Sequence, residues 1–319
     1  MYKHGREGHF ILNYIIEDAN VVSDQGIHIR SFLIQENRIG HLGNSLKKYK
    51  GTRMNLSNYF MTPGLAMVDF SLVTSQNLKD YKSSLLNLVI KGCTTALVPC
   101  YIPYEMEFEK NIRAARHRMI NSTIDFVMGI HMPAEKLTPS IMRLCKRNKL
   151  PFILADVSSN TDIYSIPWGW IRDAQFQFQA PIYPIWKIED EKVLKMQMDT
   201  WEHMTTLHNI PTYLTFPRDS NPIPKIIRKQ IGLYPRKGEL LIGNDLDYNL
   251  YQYPSIASKV EETNKLDYDK INPMITVHKG RVLKANGEMN FFPGFGEELI
   301  IKLPGLFGTI ETKGHTSHL

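Results

Sequence analysis

At 319 residues with 43% hydrophobic content, the chain can bury one large core or two ordinary ones. No run approaches the roughly 18 apolar residues of a membrane-spanning helix, and the start, Met1-Tyr2-Lys3-His4-Gly5-Arg6-Glu7, lacks a signal-peptide apolar core, so a soluble, cytoplasmic protein without membrane partners is expected. The net charge of +6 is scattered over Lys47-Lys48-Tyr49-Lys50, Lys146-Arg147-Asn148-Lys149 and the stretch from Lys225 to Lys237, interleaved with acidic residues; these read as solvated faces, and nucleic acid is not an expected partner. Three cysteines, Cys93, Cys100 and Cys145, show no close pairing and suggest neither a disulfide framework nor a zinc knuckle.

In chain order, Phe10 to Ile16, Ala19 to Val22, Gly26 to Ile34 and Arg38 to Gly43 are short β-branched and apolar runs between polar turns, which predicts an antiparallel β module. The pattern then alternates. Strands are predicted at Met61 to Phe70, Thr94 to Pro99, Ile124 to His131, Pro151 to Val157 and Pro211 to Phe216. Helices are predicted at Leu78 to Lys91, Tyr104 to Asn121, Pro139 to Asn148, Asp190 to His208 and Pro222 to Ile231, and Ala174 to Ile185 reads as a further strand or an irregular crossing. Alternation of this kind builds βα units on a parallel sheet, but five or six strands fall short of the eight of a complete barrel. Strands return at Glu239 to Gly243, Tyr248 to Tyr251, Met274 to His278, Arg281 to Leu283 and Glu288 to Phe291, with Lys279-Gly280 and Asn286-Gly287 as hairpin signals. Residues 311–319 read as a flexible tail.

Several separated pieces resemble one family. Pro63-Gly64-Leu65-Ala66-Met67-Val68-Asp69-Phe70-Ser71 is similar to the Pro-Gly-Leu-Ile-Asp-x-His-x-His strand of the amidohydrolase superfamily, in its dihydroorotase and hydantoinase (dihydropyrimidinase) group. Ile16 to Val22 with Phe32 to Ile39, Ile90 to Pro99, and Asn221-Pro222 with Ile231-Gly232-Leu233-Tyr234-Pro235-Arg236-Lys237-Gly238 through Asp245-Leu246-Asp247 resemble further segments in the same order. The resemblance implies an α/β fold: a shortened or incomplete (β/α) TIM-like barrel over 60–234, with 1–59 and 235–310 forming a composite β-sandwich. It also implies that the strand once delivered two zinc-binding histidines, whose positions here are Asp69 and Ser71.

A zinc pair activates a bridging water and polarises an amide carbonyl, and it needs a fixed cluster of nitrogen and oxygen ligands. Within the barrel segment the only histidines are His117, His131, His203 and His208, and of these only His131 falls at a predicted strand end. Asp156 falls at another, so Asp69, His131 and Asp156 are the candidate metal or acid–base residues, and all three could converge at one mouth. Cys100 is a further candidate nucleophile beside Pro99. The arginine that would bind a substrate carboxylate in dihydroorotase-like members is replaced by Val73. The resemblance thus implies a scaffold, subunit or ligand-binding pseudoenzyme without a cofactor, forming a homo-oligomer or binding a protein partner and taking a small-molecule ligand. The alternative is a divergent hydrolase of a carbon–nitrogen bond, with zinc or another divalent metal at Asp69, His131 and Asp156.

Overall fold

The computed structural model describes residues 13–23, 26–252 and 271–305. The predicted tail at 311–319, residues 10–12 of the first predicted strand and the turn at Asp24-Gln25 lie outside the described residues. In chain order the elements are β1 (Tyr14–Ser23), β2 (Gly26–Gln35), β3 (Arg38–Gly43), β4 (Thr52–Asn55), β5 (Tyr59–Pro63), β6 (Leu65–Val68), α1 (Leu78–Ile90), β7 (Cys93–Tyr101), α2 (Phe108–Met119), β8 (Asp125–Pro133), α3 (Pro139–Asn148), β9 (Ile153–Ser158), α4 (Trp168–Ala174), β10 (Ile182–Lys187), α5 (Glu191–Leu207), α6 (Lys225–Gln230), β11 (Tyr248–Gln252), β12 (Ile275–His278), β13 (Arg281–Ala285) and β14 (Glu288–Met289). They fall into two compact units. The first holds the described residues up to Gly64 with Val89–Thr94 and the described residues between Arg236 and Asn290, and the second holds Leu65–Leu88, Thr95–Pro235 and the described residues from Phe291 onward.

The first unit is one nine-stranded sheet in the order β14-β13-β12-β11-β5-β1-β2-β3, with β4 also paired to β1. It is mixed, where an antiparallel module was predicted: β1 runs parallel to both β4 and β5, because residues 44–51 carry the chain from the end of β3 back to the start of β1, where Thr52 pairs with Tyr14. Two runs predicted as separate strands form the single strand β1, whose register shifts between Ile16 and Ala19 at a bulge where Asp18 has φ 53°. Both hairpin signals form two-residue turns with positive φ at each central residue: Lys279-Gly280 between β12 and β13, and Asn286-Gly287 between β13 and β14. Residues of β1, β2, β3, β5, β11 and β12 share one apolar core, so the sheet folds over onto itself as a sandwich. The predicted strand at Glu239 to Gly243 is instead a turn-rich segment whose Gly243 N donates to Ile39 O of β3 at 2.7 Å, just before an isolated bridge between Arg38 and Asp245.

Buried ions lie inside this unit. Lys237, 2% exposed, donates to Asp247 Oδ2 at 2.7 Å and stands 2.9 Å from Asp245 Oδ2, while His278 Nδ1 lies 2.9 Å from Asp247 Oδ1. The basic stretch ending at Lys237 is therefore not all solvated, as its charge suggested. Burial would push the Asp247 carboxyl up, but His278 and Lys237 outweigh it and hold its pKa at about 2. The end of α1 is tied to the same sheet: Thr276 Oγ1 donates to Val89 O, Lys284 Nζ to Ile90 O and, just beyond the helix, Asn249 Nδ2 to Gly92 O. The last turn of α1 carries no basic residue, so Lys284 supplies the positive charge that its carbonyls favour.

The predicted strand Met61 to Phe70 is two strands in two sheets. β5 belongs to the nine-stranded sheet and β6 to a five-stranded one, with Gly64 between them. A Cβ at Gly64 would stand 2.3 Å from Thr94 Oγ1, so only glycine fits. The second sheet is parallel in the order β10-β9-β8-β7-β6. β7 is buried along all but its last residue, as expected for a parallel strand covered on both faces. One face presents Ala66, Val68, Leu97, Val127, Phe152, Leu154 and Tyr183 to a core completed by Ile227 and Ile231 from the α6 region and by Leu299 and Ile301. Side chains of the late chain thus fill the face of this partial barrel. The predicted strand Pro211 to Phe216 forms no ladder, since Pro211 has no N–H and the carbonyls of Thr212 and Leu214 are taken by the side chains of Gln230 and Trp186. The stretch from Ala174 contains the end of α4 and an irregular crossing before β10.

Candidate functional site

Along a strand, side chains two residues apart share a face. Continuing the apolar face of the parallel sheet toward its C-terminal edge leads from Val68 to Phe70, from Leu97 to Tyr101, from Val127 to His131, from Leu154 to Asp156 and from Tyr183 to Lys187. Tyr101 pairs with His131, Pro133 with Asp156 and Ser158 with Lys187 in the parallel register. An oil-filled interior therefore gives way, at the last layer, to two aromatic rings, an imidazole, a carboxylate and an ammonium.

These five groups touch. His131 Nε2 lies 2.7 Å from Asp156 Oδ1, and Lys187 Nζ donates to Asp156 Oδ2 at 2.7 Å. The rings of Phe70 and Tyr101 meet the His131 ring edge-on, with centroids at 5.5 and 5.3 Å. The Asp156 side chain is 9% exposed and that of His131 15%, whereas that of Lys187 is 58% exposed. Burial would raise the Asp156 carboxyl, yet the hydrogen bonds from His131 and Lys187 prevail and hold it below the usual carboxylate range. An ionised Asp156 accepts from Nε2–H, which leaves Nδ1 of His131 as an acceptor.

Asp69 does not join them. Its Oδ1 accepts from Ser71 N, Ser71 Oγ and Leu72 N, each at 2.8 Å, which makes it the organiser of its own turn. Burial, and then the nearby Asp219 charge, raise its carboxyl against these hydrogen bonds. His131 and Asp156 are thus brought together as the sequence suggested, while Asp69 hydrogen-bonds to neither. Cys100 is buried, and burial pushes its thiol up to about 11, the wrong direction for a nucleophile. Val73 is buried as well, and its carbonyl accepts from Arg118 Nη1 at 2.6 Å. Sequence reasoning missed Phe70, Tyr101 and Lys187; the period-two continuation of each strand was the signal that could have found them.

No protein-family model and no curated protein matches the sequence. Solved structures resemble its fold. A D-hydantoinase superposes with a TM-score of 0.63 at 11% identity, over 91% of this chain and 99% of its own. The dihydropyrimidinase from Brevibacillus agri NCHU1002 gives 0.58 at 11% identity with the same coverage. The chain has the hydantoinase fold. The β-aspartyl dipeptidase from Fervidobacterium islandicum AW-1 follows at 0.50 and 12% identity, over 89% of this chain and 99% of its own.

The hydantoinase fold was what the motifs implied, but the side chains at its strand ends do not fit the zinc pair that the same motifs imply for the family. Asp69 and Ser71, at the two histidine positions, bond to each other. Among the described residues no three His, Cys, Asp or Glu side chains are grouped to hold a metal ion. Both oxygens of Asp156 are occupied, one of them by an ammonium group that would repel a divalent cation. Among the described residues, no helix is long and apolar enough to cross a membrane.

Proposed function

We propose that this protein is a hydantoinase-fold pseudoenzyme: it does not hydrolyse cyclic amides through a zinc pair, and serves as a ligand-binding or structural subunit, self-associated or in complex with a protein partner. The observation that carries this reading is the occupation of Asp156 by His131 and Lys187. A metal site needs free, negatively charged or neutral donors that converge on one point. Here a lysine ammonium neutralises the one carboxylate beside the histidine, and the other candidate carboxylate, Asp69, is spent on backbone N–H groups. The aromatic and ionic mouth that remains is suited to holding a small molecule, not to activating water between two cations.

The test is metal analysis of full-length protein purified without chelators, combined with an assay of cyclic imide cleavage in the presence of added zinc, manganese or iron. We expect well under one metal per chain and no cleavage above the buffer rate. Stoichiometric metal that disappears in His131→Ala, together with cleavage that requires it, would overturn the proposal in favour of a reduced metal site.

A further inference from the structure

We propose that the mouth formed by Phe70, Tyr101, His131, Asp156 and Lys187 is a metal-independent acid–base site that binds a small planar weak acid, with His131 as the proton acceptor. This inference rests on the ligand-binding reading above and names the chemistry of the ligand. Among the described residues His131 Nδ1 has no hydrogen-bond partner, and the His131 side chain is 15% exposed. Its other nitrogen is bonded to Asp156, which fixes the ring and its tautomer from behind. Phe70 and Tyr101 hold the ring edge-on from two directions, and Tyr101, 45% exposed, offers a flat surface at the rim. Lys187 uses its ammonium on Asp156 alone and is largely exposed, which leaves N–H donors for an incoming anion.

The chemistry balances within the site. A ligand X–H places its proton on Nδ1, and both electrons of the X–H bond stay on X. The imidazolium formed is held by the Asp156 carboxylate, as a histidine paired with a carboxylate is in other acid–base sites. The anion X⁻ faces the ammonium of Lys187. Separating charge this way requires fixed groups of both signs already in place, and Asp156 holds the two cations on either side of itself. No metal, redox partner or second substrate is needed. The exposed ring of Tyr101 at the rim favours a ligand with a flat hydrocarbon face over a small inorganic anion.

The probe is 4-nitrophenol, a planar weak acid whose ionised form alone absorbs in the visible. Titrating full-length protein into it at constant pH, with a chelator present, should raise the nitrophenolate absorbance in a saturable way. Lys187→Met, at a largely exposed side chain, should weaken binding about tenfold or more, as expected for loss of a charge-assisted hydrogen bond. His131→Gln should abolish the ionisation, and Lys187→Arg should retain it. Absence of a saturable rise, or a rise unchanged in both Lys187→Met and His131→Gln, would overturn the inference. Failure here without bound metal leaves the pseudoenzyme reading standing, whereas a rise that appears only when zinc replaces the chelator overturns both.

Discussion

The chain builds the same trio twice, a lysine and a histidine on the two oxygens of one aspartate. In the nine-stranded sheet Lys237 and His278 clasp Asp247; at the edge of the parallel sheet Lys187 and His131 clasp Asp156. Distances hardly separate them, 2.7 and 2.9 Å in the first against 2.7 and 2.7 Å in the second. Exposure does: the Lys237 side chain is 2% exposed and that of Lys187 58%. A sealed trio can only hold strands together, because no ligand reaches it. The open trio keeps its lysine head group in solvent while both contacts to the aspartate stay in place, and composition alone would not have told the two apart.

Truncating the two lysines should separate the trios most. Lys237→Ala leaves Asp247 charged and buried, and should cost about 3–5 kcal/mol in urea unfolding or prevent folding. Lys187→Ala should cost no more than about 1 kcal/mol, since its head group is solvated. Equal losses would remove the distinction. Acid should separate the trios next. The folded-state pKa of Asp247, about 2, lies below its ordinary value of 3.8, so its contribution is complete above about pH 4 and is lost as the pH falls toward 2. That amounts to about 2 kcal/mol, measurable as a fall in the urea midpoint that Asp247→Asn should flatten. Asp156 is shifted in the same direction and its contribution fades likewise on acidification, but at a half-open site the change should be smaller. The smallest effect concerns the turn beside the mouth. Asp69→Ala should cost about 1 kcal/mol by orphaning the N–H groups of Ser71 and Leu72. Asp69→Asn keeps the accepting oxygen and should cost less than half as much by thermal unfolding, with no change in metal content for either variant.

Much of this was legible in the chain. Alternating apolar runs and helical periods located β6 to β9 and α1, α2, α3 and α5, and the strand-end positions of His131 and Asp156 followed from them. Lys187 did not, because Pro184 interrupts its strand and argues against a regular ladder. The structure tolerates that proline because β10 is the outer strand of the five, where a missing N–H need not break pairing on both sides. Lys237 was hidden for the opposite reason. It ends a basic run that looks solvated, and nothing local marks that its partner ten residues later will be folded under the sheet. Asp69 occupied the right strand end, but its own turn offers three donors nearer than any other strand, and short-range partners win when they cost little chain entropy.

The three groups that cap the end of α1 and Gly92 lie 157, 187 and 194 residues later in the chain. A ribosome adding roughly 5–20 residues per second delivers them on the order of ten seconds or more after the helix itself. Throughout that interval the newly made N-terminal half carries a helix end with unanswered carbonyls and a β5 edge that still awaits β11. The contacts at the end of α1 therefore cannot be complete before Lys284 has been made, and a nascent chain stalled before that residue should engage holdase chaperones more than the full chain does.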